Sequence, residues 1–281
     1  MKPPPFEYEA PTTLESAVAL LEENQFDAKV LAGGQSLMPL LNMRLARPAL
    51  LIDLARIPGF DYLEDQRDAL RIGAMTRQRA IEFSPVVADK LPLLAKAIKL
   101  VGHLPTRSRG TVGGSIANAD PAAEIPMVLQ ALDGTVVARG PKGERVIAAS
   151  ELFRDAMTTA LAADEILVEI RLPTAMAKAS CAIEEFARRK GDFAIAAIAA
   201  VIEHEDGIKA RIATAGVSAC PQRLRAAEKI LEQQGLGDSA IAQAAEAAAK
   251  AVEPLSDRNA SAAYRRQLTQ VLTERAVRGA M

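Results

Sequence analysis

The segment that decides the fold runs from Arg107 to Glu124 and has the sequence RSRGTVGGSIANADPAAE. At its centre two adjacent glycines are followed by Ser115, and an earlier segment, AGGQS at residues 32–36, has the same arrangement. Glycine lets the backbone turn tightly and lets a ligand approach the main chain closely. Consecutive N–H groups at such a turn bind phosphate. Two such loops therefore suit the pyrophosphate of a dinucleotide.

Each diglycine taken alone is more commonly a simple tight turn. Neither segment matches the G-x-G-x-x-G pattern of dinucleotide-binding Rossmann folds or the G-x-x-x-x-G-K-S/T pattern of nucleotide triphosphatases. The sequence therefore argues against a standard NAD or ATP site.

Composition excludes several classes of protein. The chain has 281 residues, of which 49% are hydrophobic and 25% charged, with a net charge of −1. These values are typical of a soluble globular protein of one large or two ordinary domains, without a basic surface for nucleic acid. No apolar run reaches the roughly 18 residues of a membrane span, and the N-terminus does not resemble a secretory signal. We therefore predict no nucleic-acid partner, no membrane span and a cytoplasmic location.

Metal chemistry in this chain is also disfavoured. Two cysteines cannot by themselves make a zinc site or an iron–sulfur cluster, since both usually need about four ligands. The two histidines are well separated in sequence, which disfavours a histidine-based metal centre. We interpret Cys181 and Cys220 as buried small residues or idle thiols, His103 as a structural or packing residue, and His204 as part of a solvated turn. The sequence thus predicts no metal ligands and no catalytic side chain.

Hydrophobic patterning predicts a small parallel sheet at the start of the chain. Thr13 is a candidate cap for a helix that begins at Leu14. Apolar runs at residues 28–32 and 49–54 predict strands, and residues 37–45 predict a helix between them. Strands that alternate with helices favour parallel pairing.

From residue 60 the pattern changes to short strands between turn signals. We predict strands at residues 69–73, 134–138 and 166–172, a helix at 91–100, and a linker at 173–179. Such a mixture is typical of an α+β domain.

The last third of the chain predicts two strands followed by three helices. The strands are expected at residues 193–203 and 207–217, separated by the turn Glu205-Asp206-Gly207. The expected helices are residues 224–234, ending at Gly235; residues 239–252; and a last helix that begins at Ser256 or Asp257 and runs through Ala276.

Several ordered motifs together resemble one family. They are KPPPFEY at residues 2–8, the two glycine segments, RRKGDFA at residues 188–194, and YRR at residues 264–266. In this order, from residue 2 to about residue 275, the chain resembles the medium, FAD-binding subunit of the molybdenum hydroxylases, the family of xanthine and carbon monoxide dehydrogenases.

The resemblance implies an α+β fold of two domains. Residues 1–176 would form an FAD-binding domain of the vanillyl-alcohol-oxidase or PCMH type, with subdomains at about 1–58 and 59–176. Residues 177–281 would form a smaller C-terminal domain of antiparallel sheet plus a three-helix bundle.

The resemblance also implies a set of FAD-binding residues. Two glycine segments would wrap the pyrophosphate, two acids would lie around the ribose and adenine end, and two apolar residues would pack the flavin. In that order these are Ala32, Gly33, Gly34, Gln35, Ser36, Thr111, Val112, Gly113, Gly114 and Ser115; Asp120 and Glu124; and Val101 and Leu167. From the residues alone, Asp120 is equally a turn residue before Pro121, and Glu124 a charge in the first turn of a helix.

One region departs from the family. Some branches place a lysine near the flavin, a few residues before the Arg-Arg motif, where this chain has Glu184 and Glu185. A positive charge near the ring would favour the anionic reduced flavin, so its absence changes the expected tuning of the redox potential. Lys190 is the nearest replacement, and we interpret it as a surface lysine.

The function implied by the resemblance is electron transfer. FAD in this chain would accept electrons from two [2Fe–2S] clusters in a small partner subunit. Those clusters would drain a molybdopterin cytosine dinucleotide-type molybdenum cofactor in a large partner subunit. An external acceptor would then take the electrons, in an assembly expected to be a dimer of heterotrimers.

Two alternative functions are compatible with the same fold. One is a stand-alone FAD-dependent oxidoreductase acting on its own small substrate, which the shortage of His, Tyr and Cys disfavours. The other is a non-catalytic assembly module that has lost flavin. Both intact diglycines argue against that module, on the expectation that nothing structural requires them.

Overall fold

The first part of the chain forms a three-stranded parallel sheet. This computed structural model describes residues 2–175, 177–205 and 207–281. The sheet has the strand order β1-β3-β2 and is accompanied by two helices. Its elements are β1 (Glu7–Glu9), α1 (Leu14–Asn24), β2 (Ala28–Leu31), α2 (Leu37–Asn42) and β3 (Leu50–Asp53). The predicted parallel sheet is therefore confirmed.

Local chemistry sets the helix ends in this part. Thr13 Oγ1 accepts a hydrogen bond from Ser16 N at 3.2 Å, which confirms the predicted cap of α1. The helix predicted for residues 37–45 ends earlier, at Asn42. Arg44 has a φ of 58°, in the left-handed region, so the helix cannot continue through it.

A five-stranded antiparallel sheet follows, with the strand order β4-β5-β10-β6-β7. Its strands are β4 (Leu63–Asp65), β5 (Ala69–Gly73), β6 (Thr135–Gly140), β7 (Gly143–Ala148) and β10 (Ile166–Pro173), and a separate hairpin joins β8 (Phe153–Asp155) to β9 (Thr158–Thr159). All three strands predicted for this part are present, and β7 was not predicted.

Seven short helices pack around that sheet. They are α3 (Gln78–Phe83), α4 (Pro85–Lys90), α5 (Pro92–Ala97), α6 (Leu104–Arg109), α7 (Val112–Asn118), α8 (Glu124–Ala131) and α9 (Ala149–Leu152). The helix predicted for residues 91–100 is the shorter α5, which begins at Pro92.

The last part is a four-stranded antiparallel sheet covered by three helices, with the strand order β11-β12-β13-β14. The elements are β11 (Ser180–Phe186), β12 (Ala196–Glu203), β13 (Lys209–Ala215), β14 (Gln222–Arg223), α10 (Arg225–Gln234), α11 (Asp238–Ala251) and α12 (Ala262–Gly279). The sequence predicts β12 and β13 but misses β11. Asp206, in the predicted turn, and Met176, in the predicted linker, lie outside the described residues.

Two predicted helix starts need correction. Helix α12 begins at Ala262, where Ser261 Oγ accepts from Tyr264 N at 3.2 Å. Asp257 instead closes a turn, because its Oδ1 accepts from Asn259 N at 2.8 Å and from Ala260 N at 3.0 Å. Helix α11 begins at Asp238, one residue before the predicted start.

Helix α8 lies between the five-stranded sheet and the last sheet and shares one core with both. It is buried along its whole length and packs against β12 and β13. Beyond its end, Asp133 contacts the guanidinium groups of three arginines, at 3.4, 2.7 and 3.3 Å respectively: Arg211, Arg223 and Arg225. These contacts fix α8, and the residues that precede it, against the C-terminal sheet. No helix of the described residues is both long and apolar enough to cross a membrane.

Candidate functional site

The two diglycine segments lie against each other in the fold. A Cβ atom on Gly33 would lie 2.5 Å from the carbonyl oxygen of Arg109 and 2.8 Å from Cα of Gly110. A Cβ on Gly114 would lie 3.5 Å from Cβ of Ala32. The loop after β2 therefore rests directly on the chain that enters and opens α7, and the two segments form one site.

The first segment has unengaged backbone donors. Within the described residues, the N–H groups of Gly33, Gly34, Gln35 and Ser36 donate no hydrogen bond. Gly34 has a φ of 71°, a left-handed conformation that glycine adopts without strain. A run of free amides around a left-handed residue is a concave donor set suited to an anion such as phosphate. This segment fits the pyrophosphate of FAD.

The second segment is different, because its amides are used inside the chain. The N–H groups of residues 112–115 donate in turn to Thr76 O, Ala74 O, Thr111 Oγ1 and Thr111 O, at 3.0 to 3.2 Å. We predict free amides at both segments from the sequence, and the structure shows them at the first segment alone. The second segment offers instead the Ser115 hydroxyl, the close backbone approach at Gly114, and the start of a capped helix.

All four glycines have structural reasons to be glycine: Gly34 has a positive φ, and a Cβ on Gly114 would lie 2.6 Å from Thr111 Oγ1. Gly33 packs on the backbone of Arg109, and a Cβ on Gly113 would lie 2.6 Å from Cβ of Ala74. The expectation that nothing structural requires these glycines is therefore wrong. Their presence does not by itself argue for a bound flavin, whereas the free amides of the first segment do.

The predicted acids follow the second segment. Asp120 Oδ1 accepts from Ala122 N at 2.9 Å, so Asp120 does form the turn before Pro121. Burial raises its pKa above the usual range. Glu124 is the first residue of α8 and is 4% exposed, so it is not a solvated helix charge. Burial raises its pKa to about 8, and the carboxylates of Glu185 and Asp120 add to that shift.

The predicted apolar contacts are both buried. Val101 and Leu167 belong to the same core cluster as Val112. Leu167 lies at a bulge of β10 next to Val168, whose carbonyl accepts from Ala74 N at 3.0 Å. Through Ala74 this strand is joined to the second glycine segment. That Val101 and Leu167 pack against a flavin stays a prediction.

Sequence reasoning missed two residues beside the glycine segments. The Arg77 guanidinium donates to the carbonyl oxygen of Arg109. Gln78 is 5% exposed, and within the described residues its buried Oε1 has no hydrogen-bond partner. Gln78 Oε1 lies 2.7 Å from the position a Cβ on Gly110 would take. Neither residue belongs to a motif, so only the fold identifies them.

One residue from each of two other motifs has a structural role in the described chain. Gly191 of the RRKGDFA motif has a φ of 88°, and a Cβ there would lie 2.5 Å from Cε1 of His103. Arg265 of the YRR motif is buried and donates to Ile195 O at 2.7 Å and Gly216 O at 2.6 Å. These contacts hold the C-terminal loops in place.

The sequence predicts no metal ligands, and the structure bears on this only for the residues that it describes. In them no group of His, Cys, Asp or Glu side chains is arranged to hold a metal ion. Of the cysteines, Cys181 is buried and Cys220 half-buried, and both are free thiols.

Comparison with known proteins places the chain in a family. Residues 4–175 match the family described as FAD binding domain in molybdopterin dehydrogenase, and residues 181–280 match CO dehydrogenase flavoprotein C-terminal domain. The chain is a medium, FAD-binding subunit of the CO dehydrogenase-type molybdenum hydroxylases. The medium subunit is thus a flavoprotein component of an oxidoreductase of several subunits.

Individual relatives match this medium subunit along its whole length. It is 40% identical to the nicotine 6-hydroxylase medium subunit of Paenarthrobacter nicotinovorans, covering 99% of this chain and 98% of that protein. It is 36% identical to the carbon monoxide dehydrogenase medium chain of Hydrogenophaga pseudoflava, covering 100% and 98%.

Solved structures agree with the fold of the medium subunit. A carbon monoxide dehydrogenase structure from Hydrogenophaga pseudoflava superposes with a TM-score of 0.97 at 38% identity, covering 100% of this chain and 98% of that one. Quinoline 2-oxidoreductase from Pseudomonas putida 86 gives 0.94 at 34% identity, with the same coverage. These matches confirm the α+β fold class, with an FAD-binding domain followed by a C-terminal domain.

Proposed function

We propose that this medium subunit carries one FAD and relays electrons. They enter from two [2Fe–2S] clusters of a small partner subunit, which take them from a molybdopterin cytosine dinucleotide-type molybdenum cofactor in a large partner subunit. They leave to an external acceptor. FAD supplies the redox chemistry when bound, and the residues of this chain bind it, orient it and exclude water from it.

One observation carries the proposal: the four consecutive unengaged amides from Gly33 to Ser36, held against the second glycine segment by the contact of Gly33 with Arg109. A negatively charged pyrophosphate would satisfy donors that the described chain leaves free. The match of the whole chain to medium subunits supports FAD as the owner of that pyrophosphate.

We assign the cofactor contacts that the resemblance to the family implies. The first segment would hold the pyrophosphate through its amides and the second through its hydroxyls and its close backbone approach. The acids would accept from hydroxyl groups toward the ribose and adenine end, and the apolar pair would pack the flavin. The residues are Ala32, Gly33, Gly34, Gln35 and Ser36; Thr111, Val112, Gly113, Gly114 and Ser115; Asp120 and Glu124; and Val101 and Leu167.

The assembly follows from the same proposal. Relatives are named medium chain or medium subunit, which implies larger and smaller partners. We propose a large molybdenum-binding subunit and a small iron–sulfur subunit, arranged as a dimer of heterotrimers, acting in the cytoplasm. The division of the chain near residue 176 into two domains is part of this proposal.

The first test is the absorption spectrum of the purified protein with whatever co-purifies, followed by release and identification of the chromophore. About one FAD per chain, with iron–sulfur absorbance and two further subunits, is the expected result. One FAD without partners would favour the stand-alone oxidoreductase instead. No flavin after reconstitution would refute the FAD role and leave the assembly module.

A pair of variants tests the amide cradle. Gly34→Ala forces a left-handed conformation on alanine within the free amides, and we expect it to lose FAD. Gly143→Ala is the matched control, because Gly143 also has a positive φ but is the first residue of β7, next to the turn from β6. Equal FAD content in the two variants would show that the first segment is not the pyrophosphate site.

A further inference from the structure

Arg77 lies beside the two glycine segments, and its positive charge has no role in the site described so far. Within the described residues its guanidinium donates one hydrogen bond, from Nη1 to the carbonyl oxygen of Arg109. Arg77 is half-buried, so part of its charge is withdrawn from water. A partly desolvated cation is stabilised by an anion that it can contact. An anion that reaches the Arg109 carbonyl would therefore also meet this guanidinium.

The backbone directs the Arg77 side chain toward the second glycine segment. Arg77 and Thr111 form an antiparallel bridge, with backbone hydrogen bonds of 2.9 and 3.0 Å between the residues that flank them. Residues opposite each other in an antiparallel pair project on the same face. On that face Thr111 Oγ1 accepts from Gly114 N at 3.0 Å. Arg77 therefore projects beside the cap of the helix that carries the second diglycine.

The first glycine segment reaches the same carbonyl oxygen. A Cβ on Gly33 would lie 2.5 Å from Arg109 O, the atom that accepts from Arg77 Nη1. Gly33 is the first of the four residues whose amides donate no hydrogen bond in the described chain. One oxygen atom thus contacts both the guanidinium and the start of the free amides. Arg77 stands where the two glycine segments meet.

The acid nearest to Arg77 in the sequence is engaged with other cations. Glu82 lies 2.8 Å from Arg79 Nη1 and 2.9 Å from Arg107 Nε. Among the residues that the structure describes, no Asp or Glu forms an ion pair with Arg77. The charge of Arg77 is therefore available to a ligand.

We propose that Arg77 is a further contact of the FAD pyrophosphate and supplies the positive charge that the glycine segments lack. This inference rests on the proposed function, because it takes FAD as the occupant. The pyrophosphate carries two negative charges, whereas the amides of residues 33–36 are neutral donors. A guanidinium binds phosphate oxygens through two parallel N–H groups. With Nη1 on Arg109 O, Nε and Nη2 of Arg77 are left to donate to the phosphate.

The test is the affinity of the deflavinated full-length protein for FAD, measured by flavin fluorescence at several KCl concentrations. Arg77→Gln removes the charge but keeps a side chain with N–H donors. We expect it to bind FAD about 10- to 100-fold more weakly than wild type, which is the usual loss for one hydrogen bond to a charged group. Because salt screens charge, wild-type affinity should also fall more steeply with KCl than that of Arg77→Gln.

Two further variants separate the charge from a structural role. Arg79→Gln is the matched control, because it removes the same charge from the same helix. The Arg79 guanidinium, however, lies 2.8 Å from Glu82 and 4.0 Å from the centre of the Phe83 ring. Arg79→Gln should therefore bind FAD as wild type does. Arg77→Lys keeps the charge without the planar fork, so it should recover part of the affinity and the steep salt dependence.

The outcomes distinguish the role of Arg77 from the presence of the FAD site. If Arg77→Gln binds FAD as tightly as wild type, the role of Arg77 is refuted and the site stands. A weaker affinity with the wild-type salt dependence, which Arg77→Lys does not improve, would also refute it and leave Arg77 as a support for the loop. If wild type binds no FAD, the proposed function itself fails. Should Arg77→Gln not fold, a wild-type affinity that does not change with KCl would refute the proposal, and a fall would support it.

Discussion

Arg223 and Arg225 contact the same two carboxylates, but the side chain of Arg223 is buried and that of Arg225 is exposed. Comparing the two therefore tests whether burial sets the strength of an ion pair in this chain. Arg223 is 6% exposed; its Nε lies 2.5 Å from Glu228 and its Nη1 2.7 Å from Asp133. Arg225 is 63% exposed and reaches the same groups at 3.5 and 3.3 Å. We compare Arg223→Ala with Arg225→Ala.

The expected magnitudes differ because Glu228 is only 4% exposed. Removing Arg223 leaves a buried carboxylate without its main partner, which costs about 3–5 kcal/mol of the free energy of unfolding. Glu228 Oε1 also accepts from Ile212 N at 2.8 Å, so the damage extends to β13. Removing Arg225 breaks an exposed pair worth about 0–1 kcal/mol.

Urea unfolding followed by circular dichroism measures both values. Similar losses in the two variants would show that burial of the pair does not set its strength, and the reasoning would be wrong. The double variant Arg223→Ala/Glu228→Ala provides the check. Because it leaves no unpaired charge at Glu228, it should be less destabilised than Arg223→Ala alone.

Three further predictions concern single positions. Gly33→Ala should lower the melting temperature as well as the FAD content, since its Cβ would meet Arg109 O at 2.5 Å; an unchanged melting curve would contradict the packing of the two segments. Ser261→Ala should cost about 1 kcal/mol in urea unfolding, because α12 loses its cap at Tyr264 N; an unchanged free energy of unfolding would contradict the capping role of Ser261. Burial raises the pKa of Glu124 to about 8, so the folded chain binds this proton more tightly than the unfolded chain. Its stability should therefore fall from about pH 4.5 to pH 8 and level off above, and Glu124→Gln should reduce that fall.

Much of the fold could be predicted, because apolar runs coincide with the strands of the structure and turn residues lie between those strands. Strand β11 was missed for a physical reason. Alternation puts Glu185 on its apolar face, where a strand pattern would have a hydrophobic residue. Glu185 therefore interrupts the apolar pattern of β11, and within the described residues its buried Oε2 has no hydrogen-bond partner.

Helix α7 was missed because glycine is a poor helix former. Its first turn contains Gly113 and Gly114, and it forms because Thr111 caps it and because Gly113 packs on Ala74. That packing partner lies in a distant part of the sequence, next to β5. For the same reason, the sequence alone could not tell which diglycine keeps its amides free.

Helix α8 also sets an order of events for the chain as it is made. The helix is complete at Ala131, but the strand β13 that covers it ends at Ala215. At about 5–20 residues per second, a ribosome needs on the order of ten seconds to add the covering strands. During that time the apolar face of α8 that packs on β12 and β13 is uncovered. The nascent chain thus exposes this apolar face to aggregation between these two points of its synthesis.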